Sequence, residues 1–184
     1  MWYYLNHGHV LPESLLGIEI GTLSIAPNDW LNITFRLCIA LAVGAIIGLE
    51  RQIRHKPAGL RTHMLVSLGS ALFVLIPLQI TTAAEGRDAI SRVVQGIAAG
   101  VGFLGAGEIM RESQQQSRLA QIRGLTSAAA IWVCAALGVA AGCGLWQLGL
   151  IGAVLSLVVL SVFKRLEQPP QIKIRKTPSI QDEE

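Results

Sequence analysis

Two glutamates, Glu50 and Glu108, each close an apolar run and are followed by an arginine, Arg51 and Arg111. After a polar stretch, each run is answered by a helix-opening string. The first is Gly59-Leu60-Arg61-Thr62-His63 and the second is Arg123-Gly124-Leu125-Thr126. A carboxylate at that place has two uses. It can cap a helix start, whose free N–H groups and partial positive charge attract anions, or the two carboxylates can share a cation between them. Thr62 and Thr126 are good N-cap residue types and are read as the caps of the returning helices. His63 is either a proton-sensitive group or an interfacial polar residue. Asp88 and Arg92 lie four residues apart, on one helix face where they can pair, and Gln95 adds a polar group one turn further in. Charges inside apolar runs are expensive in lipid, so Arg92 and Glu108 mark either functional positions or side chains reaching the headgroups.

The elements that must position these residues are membrane helices. Of the 184 residues, 52% are hydrophobic and 15% charged, against about a quarter charged in soluble domains. Five apolar runs are long enough to cross a bilayer: 31–49, 64–80, 90–110, 125–141 and 145–163. Twelve of the fifteen Lys and Arg residues fall in the stretches 51–61, 111–123 and 164–176. Five crossings put all three stretches on one side, and the positive-inside rule makes that side the cytoplasm. The chain therefore reads as an all-α polytopic bundle of about five transmembrane helices, with its N-terminus outside and its C-terminus inside. Residues 1–29 form an outer segment whose stretch 14–26 is partly interfacial, 30–163 the membrane domain, and 164–184 a short polar tail. Arg36, one turn inside the first run, is expected to snorkel to the phosphates.

Small residues dominate several helix faces. Gly44-x-x-x-Gly48 in the first run is echoed by Gly102-x-x-x-Ala106 in the third, which suggests two parallel helical hairpins plus a fifth helix. Gly96, Gly100, Gly102, Gly105 and Gly107 leave the third helix with little bulk on one side, and Gly138-x-x-x-Gly142 on the fourth is a candidate partner face. Such faces predict close helix packing and a homo-oligomer.

Several function classes drop out. The net charge of +3 is explained by residues flanking apolar runs, so nucleic acid is not a partner. The string Gly100-Val101-Gly102-Phe103-Leu104-Gly105 has dinucleotide-loop spacing but lies inside an apolar run, with no strand before it. Cys38, Cys134 and Cys143 read as small packing residues, and His7 and His9 as part of a solvated terminus. No metal site, cofactor or catalytic constellation is expected.

Five strings in order carry a family resemblance: Gly48-Leu49-Glu50-Arg51, Ala58-Gly59-Leu60-Arg61-Thr62-His63, Leu68-Gly69-Ser70-Ala71-Leu72-Phe73, Gly102-Phe103-Leu104-Gly105-Ala106-Gly107 and Gly124-Leu125-Thr126-Ser127-Ala128-Ala129. On these the chain resembles the MgtC/SapB family of bacterial inner-membrane proteins. The resemblance implies a multi-span helical domain and a role linked to magnesium limitation, acid adaptation or survival inside host cells. It also suggests the F-type ATP synthase as one partner among other inner-membrane proteins. There are two departures. Longer members carry a cytosolic C-terminal α/β module, whereas about twenty residues follow the fifth run here, too few for such a module. Glu108 stands where the family motif has an apolar or small residue. The leading expectation is a non-enzymatic membrane protein that modulates magnesium or proton homeostasis through contacts with other membrane proteins. The alternative is a small ion transporter or channel with an inner-side carboxylate site.

Overall fold

Apolar runs in hydrocarbon must satisfy their backbone groups internally, and the helix does so within one segment. The computed structural model describes residues 29–80, 83–114 and 124–163, which form five helices and no strand. These are α1 (Trp30–Ile53), α2 (Leu60–Ile80), α3 (Ala83–Gln114), α4 (Leu125–Gly142) and α5 (Trp146–Val158), the last continuing into one π-helical turn, Val159–Phe163. Residues 1–28, 81–82, 115–123 with Arg123, and 164–184 lie outside the described residues. α1, α2, α4 and the Asp88–Arg111 part of α3 are long and apolar enough to cross a bilayer, while Trp146–Val162 is a shorter apolar helix. The chain is a helical membrane bundle. α3 begins at Ala83, about two turns before the apolar run 90–110 read from sequence.

The helix ends follow local chemistry. Asp29 caps α1 by accepting the Asn32 N–H at 3.1 Å. At the other end His55 takes a left-handed conformation (φ 52°), with His55 N–H donating to Gln52 O and Lys56 N–H to Arg51 O. This closure satisfies the last carbonyls and turns the chain toward Pro57. α4 ends the same way. Gly144 (φ 80°) lets its own N–H reach Ala141 O and the Leu145 N–H reach Ala140 O.

Glycines then set the packing. A Cβ on Gly44 would stand 2.8 Å from His63 O, and one on Gly48 would stand 2.8 Å from Leu60 Cα, so α1 and α2 run antiparallel in backbone contact. α2 and α4 run side by side in the same direction. Cys134 meets His63, Gly138 meets Ser67 and Gly142 meets Ala71, one turn apart each time. α1, α2 and α4 form the centre, lined by Ala40, Val43, Ile47, Ala71, Cys134, Leu137 and Ala141. α3 leans on α4 and α2 without reaching α1, and α5 packs on α1 and α4 from the other side.

The two hairpins share a direction, but their packing positions do not correspond. Gly105, not Gly102, approaches α4, where its Cβ would lie 3.3 Å from Ala128 Cβ. Gly96, Gly100, Gly102 and Gly107 have open space where a side chain would stand, so they pack nothing within the chain.

Candidate functional site: a buried ion cluster at the basic end

α1 and α3 finish, and α2 and α4 begin, at the end of the bundle that carries Arg51, Arg54, Lys56, Arg61 and Arg111. There the last turn of α1 and its C-cap carry Glu50, Arg51 and Arg54, and Arg51 reaches across to α4. Arg51 is 2% exposed. Its Nη2 donates to Ser127 Oγ at 3.1 Å and its Nη1 stands 3.7 Å from Glu50 Oε2. Arg54 Nε pairs with Glu50 Oε1 from the next turn. Both Glu50 oxygens are shielded from solvent without a hydrogen-bond partner among the described residues, so the two guanidinium charges hold the carboxylate. Taking an ion pair out of water costs about as much as the pairing returns, so the cluster adds little net stability. Removing one partner alone is expensive.

His63 lies one helical turn into α2 and is fully buried. Its Nδ1 is 2.9 Å from Gly59 O. A carbonyl only accepts, so Nδ1 carries the proton, and the buried Nε2 has no partner among the described residues. The His63 carbonyl accepts from Cys134 Sγ at 3.1 Å, which joins this turn to α4. Glu108 is half-buried, with Oε1 shielded and without a hydrogen bond among the described residues. One turn before it, Gly105 packs on Ala128 near the start of α4.

Some sequence expectations are corrected here. Thr62 is the third residue of α2 and exposed, and it is not the cap. Gln52 of α1 supplies that function, its Oε1 accepting the Leu60 N–H at 3.3 Å. Thr126 is likewise exposed within α4, whose N-cap is Gly124 in a left-handed conformation (φ 88°) with no side-chain bond. Arg61 is exposed. Asp88, Arg92 and Gln95 are all exposed, and Asp88 and Arg92 do not pair with each other. Glu50 faces two arginines, and among the described residues no three His, Cys, Asp or Glu side chains gather closely enough to hold a metal ion.

Arg36 does not snorkel. It is 4% exposed. Nε donates to Asn32 Oδ1 at 2.8 Å and Nη1 to Gly142 O at 2.9 Å. Gly142 stands abreast of Ala71, nine residues before the end of α2 at Ile80, so α4 stops well short of the far end of its neighbour. Arg36 meets the negative end of the α4 dipole and one of its free carbonyls at that recessed turn. Gly144 leaves room for the guanidinium, since a Cβ there would lie 2.9 Å from Arg36 Cζ. Gln52, Arg54 and Ser127 were not singled out from sequence, and Arg36 was read there as a snorkelling side chain rather than a buried one. A charge one turn inside an apolar run was the available signal for Arg36, and nothing in the sequence distinguishes Ser127 from Thr126.

The profile of the MgtC family matches residues 37–169, the region that contains all five helices except the first turns of α1. The chain is 52% identical over 157 residues to "Protein SrpB" of Synechococcus elongatus, covering 81% of this chain and 84% of that protein. It is 43% identical over 135 residues to the "Putative magnesium transporter YhiD" of Escherichia coli strain K12, covering 71% of this chain and 60% of that protein. To "Protein MgtC" of Brucella abortus it is 39% identical over 129 residues, covering 70% of this chain and 50% of that protein. It thus spans most of the cyanobacterial relative but only half to three-fifths of the other two. No solved structure matches. A matched region that holds both the buried ion cluster and the glycine contacts around it makes this chain a member of the MgtC family of bacterial membrane proteins.

Proposed function

We propose that this protein is a non-enzymatic component of the bacterial inner membrane that modulates magnesium or proton homeostasis by contact with other membrane proteins, the F-type ATP synthase being one candidate. The printed name of the Escherichia coli relative supports the magnesium link. The single observation that carries the modulator reading is the closed centre of the bundle. Gly44, Gly138 and Gly142 bring α1, α2 and α4 into backbone contact. The Ser67 hydroxyl between them is spent on a carbonyl, Oγ donating to Ala40 O at 2.7 Å, and on the α3 side of α2 Ser70 Oγ donates to Val66 O at 2.8 Å. Ions crossing there would need a file of free polar groups at mid-depth. The basic end faces the cytoplasm in this reading, by the Lys and Arg asymmetry.

A transporter is the second reading. It is favoured by the buried Glu50 carboxylate and by the unpartnered Oε1 of Glu108 at the same end. Purified protein in liposomes, followed for magnesium and proton flux beside Glu50→Gln and Glu108→Gln, separates the two. Absence of flux under every gradient supports the modulator. Flux that disappears in the carboxylate variants overturns it.

A further inference from the structure

The outward surface of α3 differs from that of the other helices. α1 exposes Leu31, Phe35 and Leu49, α2 exposes Leu65, Leu72 and Ile76, and α5 exposes Leu148, Ile151 and Val154. Bulky apolar side chains of this kind suit lipid. α3 exposes Phe103, Leu104 and Met110 as well, but it also carries a line found on no other helix: Asp88, Arg92, Gln95, Ala99, Gly102 and Ala106 are all exposed, and they follow one another in alternating steps of four and three residues. That rhythm keeps them in one line along the helix and is the repeat of a helix–helix seam. The opposite face carries Val93, Ile97, Val101 and Gly105 against α2 and α4.

Depth sharpens the contrast. Val93 lines the same groove as Phe73 of α2. Arg92 stands nine residues, or roughly 14 Å, into α3 from its start at Ala83, and Gln95 deeper still. A charge and an amide turned outward at that depth are costly against lipid. Among the described residues no ion pair joins Arg92 to Asp88.

The line is self-complementary. Two copies of α3 related by a two-fold axis along the membrane normal run parallel. Each Asp88 then lies one turn from the other copy's Arg92. Gln95 has both donor and acceptor atoms and can bond its own symmetry image. Ala99, Gly102 and Ala106 admit close backbone approach below it. We propose that the outward face of α3, from Asp88 to Ala106, is where a second copy of this chain binds. The assignment is independent of whether the assembly modulates or transports ions.

The test uses the full chain in phosphatidylcholine vesicles. Ala99→Cys is expected to give an oxidant-dependent dimer at least tenfold above the native background, and Val154→Cys on α5 to give none above it. Ala99→Ile, which alters no contact within the chain, should raise the dimer dissociation constant at least tenfold in a dilution series read by photobleaching steps. Asp88→Arg and Arg92→Asp should each weaken the dimer, and together they should restore it. Monomers at every dilution overturn the proposal, as do cross-links through Val154→Cys in preference to Ala99→Cys. A complex that forms only in native membranes assigns the face to another membrane protein and overturns it too.

Discussion

Gly138→Ala tests the packing that joins α2 to α4. The new Cβ would run into the Ser67 carbonyl oxygen and stand 2.8 Å from both Ser67 C and Cα. All three are backbone atoms and cannot rotate away, so the helices must part by about 1 Å to restore ordinary contact. That separation loosens two bonds at the same level, Ser67 Oγ to Ala40 O at 2.7 Å and Cys134 Sγ to His63 O at 3.1 Å. Overpacking costs about 1–3 kcal/mol, and a weakened membrane hydrogen bond adds about 0.6 kcal/mol. Against this, replacing glycine by alanine in a helix returns roughly 0.5–1 kcal/mol. The net is a loss of about 1–3 kcal/mol, a five- to 150-fold fall in the folding constant. Gly69→Ala is the matched control, since a Cβ there meets nothing within 4 Å, and it should be neutral or stabilising by up to about 1 kcal/mol. Equilibrium unfolding in mixed micelles, followed by tryptophan fluorescence, reads both variants. Equal stability of Gly138→Ala and Gly69→Ala would refute the claim that backbone contact at Ser67 holds the two helices together.

Three further outcomes follow from the buried charges and the helix starts. Arg51→Leu removes the bond to Ser127 and one of the two charges beside Glu50; it should cost about 3 kcal/mol, against roughly 1 kcal/mol for Ser127→Ala, in the same unfolding assay. Arg36→Leu exposes the Gly142 carbonyl and should cost about 1.5–3 kcal/mol. Arg36→Lys should recover little, because one ammonium cannot reproduce the two bonds made by Nε and Nη1. Thr62→Ala and Thr126→Ala should each stay within about 0.5 kcal/mol of the parent, since neither side chain caps its helix. A loss of 1 kcal/mol or more in either would reinstate the threonine as a cap.

Much of the architecture was readable before any coordinate. The run 31–49 became α1 Trp30–Ile53 and the run 125–141 became α4 Leu125–Gly142, each within a turn or so at either end. Gly44, Gly48, Gly138 and Gly142 sit at close helix contacts, but Gly138 and Gly142 meet Ser67 and Ala71 of α2 and not the glycines of α3 for which they were the candidate partner face. For Gly96, Gly100 and Gly102 the same spacing finds no neighbour within the chain, where a Cβ would meet nothing within 4 Å. A spacing rule says that residues share a face, but not which neighbour the face meets.

The candidate site divides along the same line. Glu50 and Arg51 stood out as charges at the end of an apolar run, yet their partners, Arg54 and Ser127, did not. Gln52 took the capping place assigned to Thr62 because the end of α1 folds back over the start of α2. Hydropathy and the distribution of lysines and arginines act residue by residue against the solvent, so a linear chain already carries the number of helices and the grouping of its charges. Which side chains meet depends on how each helix is rotated and slid against the next. In this bundle the rotation and offset are set where Gly44 and Gly138 let one backbone touch another. The burial of Arg51 against Ser127 and of Arg36 against Gly142 exists only after those contacts close.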